Sequence, residues 1–147
     1  MTTVLSVTRE DTQALGRDLA QRLHPGDVVL LSGRMGAGKS EFARGVARGL
    51  GITGAVPSPS FTILNVYDEG PFPLYHFDWY RIGDESELYD MGLDEYIGGD
   101  GACLIEWHER AEDLIPDTYL EVLLSPQDDG SRIITFMPHG SWEARHA

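Results

Sequence analysis

The run Gly33-Arg34-Met35-Gly36-Ala37-Gly38-Lys39-Ser40 fits the pattern G-x-x-x-x-G-K-[ST] at every fixed position. Glycines let such a loop fold so that successive N–H groups point inward and form a cradle for an anion. A helix beginning at the end of the loop adds the partial positive charge of its N-terminus. Lys39 then reaches the β- and γ-phosphates of a nucleoside triphosphate, and the Ser40 hydroxyl is a ligand for magnesium. Composition points to the same place: ten of the eleven basic residues are arginine, and Lys39 is the only lysine. The competing reading is a glycine-rich turn with a solvated lysine. The apolar strand expected before the loop and the helix expected after it argue for the phosphate cradle.

A phosphate loop works with an acid near its metal, usually at the end of a neighbouring strand. Ligands of open α/β sheets gather at the carboxyl ends of strands. Glu106 ends the run Cys103-Leu104-Ile105, and Asp78 ends Leu74-Tyr75-His76-Phe77. Both are candidates to face the γ-phosphate; the plainer alternative for each is a solvated acid at a strand end. Ser58-Pro59-Ser60-Phe61-Thr62 is a third candidate. Its prolines pre-set an extended loop, and Thr62 offers a hydroxyl to sense the γ-phosphate as switch loops do. The alternative there is a simple strand entry. Trp107 either contacts the nucleotide or is buried in the core.

Other reactive side chains carry less. His24, His76, His108, His139 and His146 have no metal-ligand spacing and no cysteine partners, so they read as structural or surface residues. Cys103, the single cysteine, lies mid-strand and reads as buried and inert.

The elements that must hold these residues are legible in outline. Thr8 followed by Asp11 predicts a helix cap. Leu15, Leu19 and Leu23 then give a helical stripe, ended by His24-Pro25-Gly26. Asp27 to Ser32 is a short apolar run, as expected of a strand buried on both faces. A helix is predicted from Lys39 to Leu50, closed by Gly51. Ser60 to Tyr67, Pro73 to Trp79 and Ala102 to Trp107 read as strands. Asp84 and Glu87 predict a capped short helix ending at Gly92. Thr118 to Ser125 and Arg132 to Met137 read as a hairpin. The class is α/β: a three-layer sandwich of the P-loop nucleotide-hydrolase kind, with a mixed sheet and an antiparallel hairpin near the C-terminus. One domain over residues 1–138 is expected, with 139–147 a polar C-terminal tail.

With 147 residues the chain has the size of one domain, 41% hydrophobic and 24% charged. No apolar run approaches a membrane span, and no basic-then-apolar leader opens the sequence. With one cysteine, a reducing cytoplasm is the simplest compartment. Charge is uneven: residues 1–50 carry seven bases and five acids, residues 51–147 four bases and nineteen acids. Phosphate backbones need clustered Lys and Arg, so direct binding of tRNA or DNA is not expected. The acidic half is either a solvated surface or a docking face.

Several motifs, in order, resemble one family, the bacterial TsaE ATPases of tRNA threonylcarbamoyladenosine biosynthesis. They are Thr12 to Gly16, Gly26 through Ser40, Ser58 to Thr62, His76 to Arg81, Glu87-Leu88, Gly92-Leu93, Glu95-Tyr96, Ile105-Glu106-Trp107 and Glu109-Arg110. The likeness covers residues 8–137. It implies a compact ATPase using ATP/ADP and magnesium, with the metal held by Ser40 and Glu106. Asp78 would stand near the γ-phosphate or the attacking water, with Lys39 and Thr62 as the other catalytic candidates. Gly33 and the run Gly36, Ala37, Gly38, Lys39, Ser40 and Glu41 would cradle the phosphates, and Thr12, Trp107 and Arg132 would join the nucleotide contacts. It also implies binding to two partners, TsaD and TsaB, with tRNA met only through them. This chain departs from the family at Ser40, where Thr is commoner, at Trp79 in place of Leu, and at His108 in place of Pro.

A small P-loop kinase acting on a metabolite is the alternative. Such kinases bring an arginine-rich lid, whereas only Arg81, Arg110, Arg132 and Arg145 follow Gly51. A signalling GTPase would need a second lysine for its guanine motif. A non-hydrolysing nucleotide-binding module is the remaining rival.

Overall fold

The computed structural model describes the whole chain, Met1–Ala147. In chain order it forms β1 (Thr2–Ser6), α1 (Arg9–Ala20), β2 (Val28–Ser32), α2 (Lys39–Gly49), β3 (Leu64–Tyr67), β4 (Leu74–Asp78) and α3 (Ser86–Asp90). A 3-10 turn (Leu93–Tyr96), β5 (Ala102–Glu106), a second 3-10 stretch (His108–Leu114), β6 (Tyr119–Pro126), β7 (Arg132–His139) and α4 (Trp142–Arg145) complete it. The α/β reading holds, with all seven strands in one mixed sheet of order β1-β7-β6-β2-β5-β4-β3.

The four strands β6, β2, β5 and β4 run parallel, while β1, β7 and β3 are antiparallel to their neighbours. β2 and β5 are apolar up to their last residue because both faces are covered. Val29, Leu31, Leu74 and Leu104 face the layer of α1, α2 and α4. Val28, Leu30, Tyr75, Phe77, Cys103 and Ile105 face the layer of α3 and the 3-10 segments. Trp79 is fully buried in that second layer with its ring edge-on to Phe77. Burial pushes the Cys103 thiol up to about 12, which makes it inert near neutral pH.

Helix α1 starts as expected. The Thr8 hydroxyl accepts from the Asp11 N–H at 3.1 Å, and the Asp11 carboxylate accepts from the Thr8 N–H, a complete capping box. Its stripe is narrow, so it packs close. A Cβ at Gly45 of α2 would lie 2.0 Å from the Gln13 carbonyl oxygen, and one at Gly16 would lie 2.3 Å from that of Phe42. These glycines set the distance between the two helices and hence where α2 presents its first turn.

The structure departs from expectation in four places. β1 is added at the sheet edge, in a segment left unread. Strand Ser60–Tyr67 shortens to Leu64–Tyr67, because Ile63 turns into the left-handed region at φ 68° and its N–H bonds back to Pro59. The short helix starts at Ser86, and Asp84 bonds Ser86 while Glu87 accepts from the Gly83 N–H, so the expected box does not form. Finally, 139–147 is no free polar tail. His139 ends β7, Trp142 is buried against the α1–α2 layer, and Arg145 and His146 reach the buried Asp27 at 3.1 and 2.7 Å. The tail is polar because its charges answer that acid.

Gly45→Ala forces α1 and α2 apart. Overpacking of this kind costs about 1–3 kcal/mol, so the denaturant midpoint falls; an unchanged midpoint would refute the close helix contact.

Candidate active site

β2 delivers the chain to the loop at its carboxyl end. Gly33, Gly36 and Gly38 then take φ of 145°, 83° and 103°, in the left-handed half of the map where glycine is at ease. Gly38 is the N-cap of α2, and no side chain caps this end. The N–H groups of the first turn therefore remain free for an anion. Gly33 has no room for a side chain, since a Cβ would lie 2.7 Å from the Leu124 carbonyl oxygen. Ala37 is fully buried, and its N–H closes the loop onto the Arg34 carbonyl at 3.1 Å. These two shape the loop from behind, whereas Gly36, Gly38, Lys39, Ser40 and Glu41 line a cleft of about 310 Å³.

Asp78, Glu106, Trp107 and Arg132 line the same cleft. Parallel pairing puts Asp78 level with Glu106, and β2 beside β5 puts the loop next to both. Lys39 Nζ lies 3.9 Å from Glu106 Oε1 and 5.0 Å from the centre of the Trp107 ring. Glu106 Oε2 is 2.7 Å from His76 Nε2, with both residues buried. Asp78 accepts from the Tyr80 N–H at 2.9 Å through Oδ1 and from the Ser60 hydroxyl at 3.2 Å through Oδ2. Arg132 starts β7, which runs back from the carboxyl end of β6 and so brings its side chain to the loop. Its Nε donates to the Ala37 carbonyl at 2.8 Å.

Two candidates sit otherwise than expected. Thr62 is exposed and donates to Asn65 at 2.7 Å; Ser58 and Ser60 of the same loop line the cleft in its place. The turn at Ile63 carries Thr62 outward. Thr12 is fully buried and shares a 2.7 Å hydrogen bond with Ser6, so it ties α1 to β1 rather than lining the cleft. Glu41 lines the cleft as expected, with its carboxylate held by Gln13 and Arg44. Burial raises the pKa of that carboxylate, but these partners outweigh it and the net shift is downward. His76 and Ser60 went unread as site residues. Their signals were alternation, which puts His76 on the face of Asp78, and proximity to Thr62.

The chain's relatives agree with this architecture. A family profile described as "Threonylcarbamoyl adenosine biosynthesis protein TsaE" matches residues 6–134. The chain belongs to the TsaE family. The tRNA threonylcarbamoyladenosine biosynthesis protein TsaE of Bacillus subtilis is 46% identical over 136 residues, 92% of this chain and 85% of that protein. The TsaE protein of Treponema pallidum is 40% identical over 131 residues, 89% of this chain and 96% of that one. The crystal structure of Bacillus subtilis YdiB superposes with a TM-score of 0.86 at 39% identity, covering 98% of this chain and 90% of that one. The P-loop fold is thus the TsaE fold. His108 opens the 3-10 stretch after Trp107, with its Nδ1 2.9 Å from Glu109 Oε1.

Arg132→Ala removes the bond that braces the loop from β7. A bond of this charge-assisted kind is worth about 1.5–3 kcal/mol, so affinity for a fluorescent ATP analogue falls about tenfold or more. Unchanged affinity would show that the loop holds its shape without Arg132.

Proposed function

We propose that this chain is a magnesium-dependent ATPase that serves tRNA threonylcarbamoyladenosine synthesis in the cytoplasm. On this reading it binds the TsaD–TsaB complex and cycles it through ATP binding and hydrolysis. The observation that carries the reading is the convergence of Lys39 and Ser40 with two strand-end carboxylates, Glu106 and Asp78, in one cleft. Its sequence kinship with proteins named for this biosynthesis supports the process.

The donor set suits magnesium. Hydroxyl and carboxylate oxygens are hard ligands of the kind it takes alongside phosphate oxygens and water. Ser40 and Glu106 would hold the ion, which when bound neutralises charge on the phosphates. The free N–H groups of the first turn of α2 bind phosphate oxygens, and Lys39 leaves Glu106 for the β- and γ-phosphates. Asp78 orients the attacking water. Its two oxygens are already fixed by Tyr80 and Ser60, so it loses little freedom in doing so. Trp107 and Arg132 flank the nucleotide. The role of the partners fits the charge, since a net −13 leaves the chain ill suited to grip tRNA directly.

Lys39→Ala abolishes magnesium-dependent ATP hydrolysis and weakens nucleotide binding, measured by phosphate release with and without TsaD–TsaB. Asp78→Asn and Glu106→Gln slow hydrolysis by about 10²–10³-fold, the scale of one lost transition-state contact, while circular dichroism stays unchanged. Wild-type turnover in Lys39→Ala, or rates indifferent to the partners, would defeat the reading.

A further inference from the structure

His76 is the one histidine of β4, fully buried on the sheet face that also carries Leu74 and Leu104. On the adjoining strands it lies level with Leu104 and Asn65, and a buried imidazole costs free energy unless its polar atoms are used. Only one of them is. Nδ1 is buried with no partner, while Nε2 lies 2.7 Å from Glu106 Oε2. A carboxylate has no proton to give, so Nε2–H donates. The pairing register explains the reach. His76 sits level with Leu104 and Asp78 with Glu106, so His76 lies one step behind the acid on the adjoining strand.

We propose that His76 is the positioning residue of Glu106. It engages Oε2 from behind and so turns Oε1 toward the cleft, where that oxygen now meets Lys39 at 3.9 Å. The inference rests on the reading of Glu106 as a magnesium ligand. Carboxylates that bind metals are themselves hydrogen-bonded, and losing the outer partner typically costs 10–100-fold in metal affinity. No other side chain bonds Glu106 Oε2, so the orientation depends on this histidine. His76 does not line the cleft, so it acts on the site through Glu106.

The test uses Mn2+ as the probe, titrated into the full-length chain saturated with a non-hydrolysable ATP analogue, with free Mn2+ read by electron paramagnetic resonance. His76→Phe keeps the volume and removes the donor; it should raise the Kd for Mn2+ about tenfold or more. His76→Gln places an amide N–H close to the position of Nε2 and should restore the affinity to within about threefold. Affinity for the analogue in EDTA stays the same in both. If His76→Phe destabilises the fold, His76→Asn replaces it, because its amide stops short of Glu106. A Mn2+ Kd that does not move without the donor, or that His76→Gln fails to restore, overturns the positioning role. Glu106→Gln separates the two readings. If it weakens Mn2+ binding while His76→Phe does not, only the positioning role is lost. If it leaves Mn2+ binding unchanged, Glu106 is not a ligand and both readings go.

Discussion

Parallel pairing of β2, β5 and β4 is the constraint on which the rest of the molecule depends. Parallel strands end at the same edge of a sheet, so whatever follows each of them meets its neighbours there. The loop after Ser32, the carboxylate of Glu106 and the carboxylate of Asp78 become neighbours without any contact having to be arranged between them. Parallel strands also need crossovers, and the crossovers bring helices to both faces. That is why β2 and β5 are apolar up to their ends, and why the polar residues at those ends stand out. β7 belongs to the same logic in reverse. Because it is antiparallel to β6, its first residue, Arg132, comes to the edge where the other strands finish.

This explains what was legible in the sequence. Arg132 came only from the family resemblance, whereas the loop and both acids were readable because each is fixed by local spacing or by a strand end. Thr62 and Thr12 were not, for different reasons. Thr62 is placed by one left-handed residue, Ile63, a conformation that β-branched residues seldom adopt and that no propensity foretells. Thr12 is placed by β1, whose pairing with β7 spans nearly the whole chain. The C-terminal segment failed to read as structure for a similar reason. Its polarity suggests solvent, and only the position of Asp27, 119 residues away from His146, shows that the polarity is used. Tertiary contacts between distant residues leave no local pattern.

Two buried carboxylates illustrate how this fold treats charge. Asp27 sits at the start of β2 and Glu106 at the end of β5, and each is largely removed from water. A buried charge without partners is strongly unfavourable. Asp27 is met by Arg145, His146 and the His24 N–H, and this network pins the C-terminal helix over the core. Glu106 has a weaker set: one histidine and a lysine at 3.9 Å, too long for a hydrogen bond. The first network is structural: its two hydrogen bonds meet on Asp27 Oδ2, and Arg145 lies beside Oδ1. The second has an oxygen to spare, as a ligand site requires.

The backbone just after Glu106 shapes the same cleft. Trp107 follows Glu106 directly and adopts the left-handed conformation, φ 61° and ψ 42°. A residue before proline is pushed toward extended backbone, so a proline at 108 would oppose this turn. With histidine at 108, Trp107 is free to take it at a cost of about 1–2 kcal/mol. Its ring recovers part of that by packing 4.8 Å from Tyr80 and lying within 5.0 Å of Lys39. The Tyr80 N–H in turn holds Asp78. The turn after Glu106 thus links the lysine, the tryptophan and the second carboxylate. The residue at 108 acts on the cleft through the backbone angle of its neighbour rather than through its own imidazole, which lies beside Glu109.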